Sequence, residues 1–366
     1  MRRTVPFRRY ASLAGAVALL LTTFTPRVAA AATGTPIQVY GAWLCGDDEC
    51  TWGHVPNMTT FDTNNHWMID RGNGQPSVNL VVLAFVNPLK LLDQTNDSGD
   101  VNGVPVGMTS AVVNYFTSHG VRVMFSIGGV TYTGDWDTAL SQNPTQLGLN
   151  AAAVAKQFGV GMEIDYENGT SPNLTGLQAF ISAYRSQLPY DPTGANPAAR
   201  LTIDLAAGDQ YLTDLARYAT ANWLTTSNPV LDYANAMVAN RQLDTSKQEE
   251  QWLEHADGKP NYAPPVLPLA PAKYTGSVFI AGLSSVQPEC NNFASSLEDS
   301  TGSFVRTVAP DGAGTTPGML GYMFWAAEQP SVHGATTDPP NTCQGGVGVG
   351  ATTYSIPIPM PALRQS

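Results

Sequence analysis

The sequence predicts an α/β chain folded as a single-domain (β/α)8 TIM barrel, and three observations carry that expectation. Eight short apolar runs rich in β-branched residues recur along the chain. Helical patterns separate several of them, and two of these end at a glycine. The fourth run carries acids spaced by two, Glu163, Asp165 and Glu167, so one face of a buried strand brings polar chemistry to its end.

The first run covers residues 37–43 and the second 78–86, reading Val-Asn-Leu-Val-Val-Leu-Ala-Phe-Val. Near-continuous apolar runs mark strands buried on both faces, as in parallel sheets. A helix over 109–117 stops at Gly120, ahead of the third run at 121–127. Another over 145–158 stops at Gly159, which opens the fourth run at 159–166. Glycine past the last turn takes the left-handed conformation that caps a helix. A helix over 174–188 leads to the fifth run, 201–206. One over 211–224 leads to the sixth, 231–238, and a further helix over 246–255 follows it. The proline-rich stretch 257–271 reads as a surface loop, because the seventh run, 278–283, comes soon after. The eighth covers 319–325. Strands alternating with helices specify a closed parallel sheet with helices outside.

Residues 1–32 read as a secretory signal peptide. Arg2, Arg3, Arg8 and Arg9 precede an apolar centre at 11–21, and small residues follow at 29–32. That order of charge, apolar core and small residues is the export pattern. The core falls short of the roughly 20 apolar residues that a membrane span needs. The mature protein, 33–366, is therefore expected to be secreted and extracellular, with no membrane partner. Losing the leader's five arginines leaves 13 basic against 29 acidic side chains, a net charge of −16. Such a surface argues against nucleic acid or anionic membrane as a partner and suits a neutral polymer. A monomer without cofactor is expected. The four cysteines, Cys45, Cys50, Cys290 and Cys343, allow three pairings. In an oxidising compartment disulfides are the default, and Cys45–Cys50 with Cys290–Cys343 is the expected set. Their spacing matches no common zinc pattern, so no metal is expected.

Side chains alternate along a strand, which puts Glu163, Asp165 and Glu167 on one face. Inside a barrel that face points inward, with Glu167 at the C-terminal mouth where barrel active sites lie. Burial and mutual repulsion raise the pKa of at least one such acid. A proton donor to a glycosidic oxygen needs that property. The alternative is a sheet edge with one wet face. Trp43, Phe85, Tyr132, Trp136 and Tyr211 fall near the C-terminal ends of runs. They read either as a sugar-stacking cleft or as ordinary packing. Asp204, in the fifth run, reads either as an acid that contacts substrate or Glu163, or as a buried structural acid. No nucleophilic triad order, phosphate loop or HExxH motif is present.

The run Val160-Gly161-Met162-Glu163-Ile164-Asp165-Tyr166-Glu167 resembles the fourth-strand signature of glycoside hydrolase family 18, Asp-Gly-x-Asp-x-Asp-x-Glu. Phe125-Ser126-Ile127-Gly128-Gly129 is similar to that family's Ser-x-Gly-Gly motif. Asp232-Tyr233-Ala234-Asn235-Ala236-Met237 is similar to its sixth strand, and Gly321-Tyr322-Met323-Phe324-Trp325 to its eighth. The resemblance implies a chitinase-like or endo-β-N-acetylglucosaminidase-like enzyme that cleaves β-1,4 linkages of N-acetylglucosamine polymers. It implies retention by substrate assistance, in which the 2-acetamido oxygen attacks the anomeric carbon. Glu167 would then be the acid. Asp165 would orient the acetamido group, and Glu163 would share a proton with it. Trp325 would stack under the sugar ring, with Met237 and Asn240 beside the substrate. The pattern departs from the family at Val160 and Glu163, which replace aspartates, and at Ala239, which stands where a tyrosine is usual. Tyr132 or Tyr211 are candidate substitutes for that tyrosine. The alternative within the same family is a carbohydrate-binding barrel with weak or no turnover.

Overall fold

Asparagine and threonine start most of the helices, and glycine turns the chain back toward the sheet. In the computed structural model, described over residues 39–46, 50–70, 76, 78–207, 212–238, 245–279 and 320–327, eight strands form a closed parallel barrel. They are β1 (Val39–Cys45), β2 (Leu80–Val86), β3 (Arg122–Gly128), β4 (Gly161–Asp165), β5 (Leu201–Ala207), β6 (Ala234–Val238), β7 (Tyr274–Phe279) and β8 (Gly321–Ala327). Each pairs with its chain neighbours, and β8 closes on β1 through Val39 opposite Gly321. The helices are α1 (Met58–Ile69), α2 (Pro88–Asp93), α3 (Ser110–Thr117), α4 (Thr133–Gln142), α5 (Pro144–Phe158), α6 (Leu174–Gln187), α7 (Thr213–Asn222) and α8 (Thr245–Asp257). The described residues all belong to the unit Pro36–Ser366. Among them no helix is long and apolar enough to cross a membrane.

Local chemistry fixes the helix ends. Asn57, Asn87, Asn143 and Asn173 each accept hydrogen bonds from backbone N–H groups in the first turn of α1, α2, α5 and α6, satisfying donors that have no partner within the helix. Gly159 ends α5 in the left-handed region at φ 68°, as its position in the sequence predicts. The alternation of each strand sorts its side chains into two cores. Phe125, Met162, Ile164, Ile203 and Leu205 face outward and pack against helix residues such as Leu147, Phe180 and Trp223. Val39, Leu80, Val82, Met124 and Met323 belong to a smaller cluster inside the barrel. That apolar plug lies low in the barrel, and the inward acids Glu163, Asp165 and Asp204 lie nearer the C-terminal ends of their strands.

The seventh strand begins earlier than the sequence predicts, covering Tyr274–Phe279, and residues 280–283 of the expected run 278–283 lie outside the described residues. Its inward residues are Thr275 and Ser277, both buried. A strand that is polar on one face does not read as a continuous apolar run. Helices α1, α2 and α4 and a two-residue hairpin (Asp100–Val101 with Val104–Pro105) are additions to the predicted order. Helix α1 is rich in Thr and Asn, which are weak helix formers, and it is held instead by its Asn57 cap and by Phe61, Met68 and Ile69 buried in the core. Residues 258–270 form the expected exposed loop, pinned by one bridge between Lys259 and Val266. Cys45 and Cys50 form a disulfide with Cα atoms 4.4 Å apart. The leader at 1–32, Tyr211, Ala239, Asn240, Cys290 and Cys343 lie outside the described residues.

Candidate active site

Glu163 stands on the inward face of β4 and is wholly buried. A carboxylate with no water needs hydrogen-bond donors, and neighbouring strands provide them. Trp43 Nε1 on β1 donates to Oε1 at 2.7 Å, and Asn235 Nδ2 on β6 donates to Oε2 at 2.5 Å. Thr275 Oγ1 on β7 donates to Asn235 Oδ1 at 2.7 Å. The chain Thr275–Asn235–Glu163–Trp43 thus spans the barrel. Burial pushes the Glu163 pKa up, while the bonds from Trp43 and Asn235 work in the opposite direction. Asp204 on β5, level with Asn235, is also buried. Burial, and then the charges of Glu163 and Asp165, hold its carboxyl well above the usual range. A hydrogen bond links Asp204 to Glu163, with the protonated Asp204 donating.

Asp165 follows Glu163 on the same face and is also buried. Its pKa is raised well above the ordinary value, first by burial and then by the charges of Glu167 and Glu163. Its Oδ1 has no hydrogen-bond partner. Trp43, Asn235 and Asp204 hydrogen-bond Glu163, and the interaction of Glu163 with Asp165 is coulombic. The backbone of Asp165 is fixed by its neighbours. Its carbonyl accepts from Gly129 N at 3.0 Å and from Trp136 Nε1 at 3.1 Å. Gly128, opposite Asp165 in the register, has φ +120°, and a Cβ there would run into the Asp165 carbonyl and the Trp136 indole. The Gly-Gly pair is therefore what lets β3 end against β4.

Glu167 lies two residues beyond the end of β4 and is half-buried. Tyr166 before it is buried, and its hydroxyl donates to Asp137 on α4. Across the mouth, Phe85 stacks on Trp325 with centroids 5.7 Å apart and planes at 21°. Trp43 leans on the same indole at 6.4 Å and 56°. Phe85 and Trp325 are both half-buried, so part of this aromatic wall faces outward.

The barrel brings Glu163, Asp165, Asp204, Phe85 and Trp325 to its upper interior, with Glu167 following β4. Met237 is half-buried, two residues beyond Asn235 on β6. Tyr132 is half-buried in the turn Val130–Tyr132 that follows Gly129. Trp136 is not a stacking residue: it is fully buried, and its indole N–H is divided between the carbonyls of Ile127 and Asp165. Sequence reasoning singled out Trp43 only as a stacking or packing residue and not as a donor, and it missed the donor Asn235 and the anchor Asp137. Inward parity with Glu163 and Met237 was the available signal for the first two. Asp137 sits on a helix the sequence did not announce. Among the described residues no group of three or more His, Cys, Asp or Glu side chains is placed to hold a metal ion.

No family model and no curated protein matches the chain by sequence. Among solved structures, the chain is similar to a GH18 chitinase from Pseudoalteromonas aurantia, at 13% identity over 79% of this chain and 94% of that one, with TM-score 0.47. It is similar to a chitinase from Bacteroides thetaiotaomicron at 12% identity, over 79% and 89% of the two chains, with TM-score 0.48. It is also similar to a chitinase-like agglutinin from Robinia pseudoacacia at 12% identity, over 79% and 94%, with TM-score 0.43. The solved structures this chain is similar to thus include both a GH18 chitinase and a chitinase-like agglutinin.

Proposed function

We propose that the protein is a secreted glycoside hydrolase that cleaves β-1,4-linked N-acetylglucosamine polymers with retention, through substrate assistance. One observation carries the reading. Asp165 is buried between two acids, holds its proton well above the usual range, and leaves one oxygen without a partner. An acid of that kind suits a substrate amide better than a water-filled cleft. Its free oxygen accepts the acetamido N–H, which turns the acetamido carbonyl oxygen toward the anomeric carbon. Glu167, more exposed and at the mouth, protonates the leaving oxygen. As the acetamido ring closes, positive charge builds on its nitrogen, and the row Glu163–Asp165 faces that charge. Water then opens the ring from the face the leaving group vacated, with Glu167 taking its proton, so the configuration is retained. Trp325 and Phe85 offer an apolar surface to the sugar ring. Export rests on the leader pattern, and the Cys45–Cys50 disulfide suits an oxidising compartment.

A second reading, carbohydrate binding without turnover, is favoured by Ala239 at the position of a tyrosine that would hydrogen-bond the acetamido group. Product analysis on chitin oligomers, N-glycans and peptidoglycan separates the two. Under the first reading the wild-type protein releases β-anomeric sugar, and Glu167→Gln is slower by about 10²–10⁴-fold, the usual contribution of a general acid. Undiminished cleavage by Glu167→Gln removes Glu167 from its role. Binding to chitin oligomers with no cleavage by the wild type selects the second reading.

A further inference from the structure

We infer that Asp137 is a positioning residue for Glu167, an inference that rests on Glu167 being the acid. Glu167 lies outside the β4 ladder, so strand pairing does not hold its backbone. Its two chain neighbours are instead tied to one carboxylate. The Tyr166 hydroxyl donates to Asp137 Oδ1, and Asn168 Nδ2 lies 3.0 Å from both Asp137 oxygens. Each anchor is itself braced. Asn168 Oδ1 accepts from Thr170 N at 3.0 Å and Ser171 N at 2.9 Å, which closes the loop after Glu167. The Tyr166 oxygen accepts from Asn173 N at 2.9 Å, and Asn173 caps α6. Helix α4 also holds the chain before Glu167, because Trp136 donates to the Asp165 carbonyl at 3.1 Å. Adjacent residues of one helix, Trp136 and Asp137, therefore grip the chain on both sides of the acid.

Hydrogen bonds to an ionised acceptor are about twice as strong as neutral ones. Burial and the bond to Asp137 raise the Tyr166 phenol pKa, so Tyr166 remains a donor across the working pH range. General acid catalysis is sensitive to placement: a shift of about 1 Å can cost on the order of 10²-fold. Releasing both neighbours of Glu167 at once is a direct way to produce such a shift without touching the substrate.

The test compares wild type, Asp137→Ala, Asp137→Asn and Glu167→Gln on a soluble chitin oligomer. Asp137→Ala is expected to fold, to lower kcat by about 10–100-fold, and to leave KM within about threefold. Asp137→Asn keeps an acceptor for Tyr166 and is expected to recover at least part of the loss. A folded Asp137→Ala with wild-type kcat overturns the proposal, as does a loss that Asp137→Asn leaves wholly unrecovered. If Asp137→Ala fails to fold, the double variant Tyr166→Phe with Asn168→Ala replaces it. A drop in its kcat at constant KM supports the clamp, and an unchanged kcat overturns it. Loss of activity in Glu167→Gln beside full activity in Asp137→Ala rejects the clamp alone. Full activity in Glu167→Gln rejects the acid itself.

Discussion

Glu163 shows what one added methylene does in a closed barrel. It stands where the resembling signature has aspartate, and its longer side chain reaches Trp43 and Asn235 together. Neither donor is dispensable, because a buried carboxylate that loses a partner keeps the full desolvation cost. Asn235 is held in the donating orientation by Thr275, whose hydroxyl occupies the amide oxygen. Asn235→Ala should therefore destabilise the protein by about 1.5–3 kcal/mol, the range for a hydrogen bond to a charged group. Urea denaturation of the variant against wild type measures it. A change below about 0.5 kcal/mol would mean that Asp204 or water takes over the bond, and the brace would lose its energetic meaning.

At the scale of elements, the strands were legible where apolar residues run nearly unbroken, and in the fourth run where acids spaced by two mark the polar face. The second, third and fourth runs (78–86, 121–127 and 159–166) come out at Leu80–Val86, Arg122–Gly128 and Gly161–Asp165. The start of β7 was missed because Thr275 and Ser277 turn polar groups inward, Thr275 bracing Asn235. Function and legibility compete there: the residues that build the upper chamber are the ones that break the apolar pattern. The carboxylate row itself was readable, since spacing by two fixes a shared face whatever the fold. Its hydrogen-bond partners were not, because Trp43, Asn235 and Asp137 come from elements distant in sequence. Gly128 tests the junction of β3 and β4. Gly128→Ala should cost about 2–5 kcal/mol, combining strain at a positive φ with overpacking against the Asp165 carbonyl. Thermal unfolding measures it, and an unshifted Tm would show that the strand ends separate freely. Gly120, where a Cβ meets nothing within 4 Å, is the control, with only the φ penalty to bear.

For the whole molecule, the buried ionisable groups set a stability optimum with respect to pH. Asp165, Asp204 and Glu163 are all shifted upward. Each binds its proton more tightly folded than unfolded, so their contribution falls as the pH rises above the ordinary carboxylate range. His255 on α8 acts in the opposite sense. It is buried, stacks on Tyr274 at 5.9 Å, and leaves Nε2 without a hydrogen-bond partner. Burial, with a smaller effect of Lys259, lowers its pKa from 6.5 to about 4. The folded state therefore holds His255 neutral while the unfolded chain takes up a proton between those values. Its contribution is complete above pH 6.5 and is lost as the pH falls toward 4. At about 1.4 kcal/mol per pKa unit the loss is on the order of 3 kcal/mol. His255→Phe keeps a ring against Tyr274 and removes the titration. The unfolding free energy of wild type minus that of the variant should therefore fall by about 3 kcal/mol between pH 7 and pH 4. The carboxylates titrate alike in both proteins and cancel from the difference, as does any pH-independent strain from the larger ring. Denaturant unfolding at several pH values reads this difference directly. A difference that stays flat across the window would mean that His255 is protonated inside the fold, with a partner for its charge that opens only in solution.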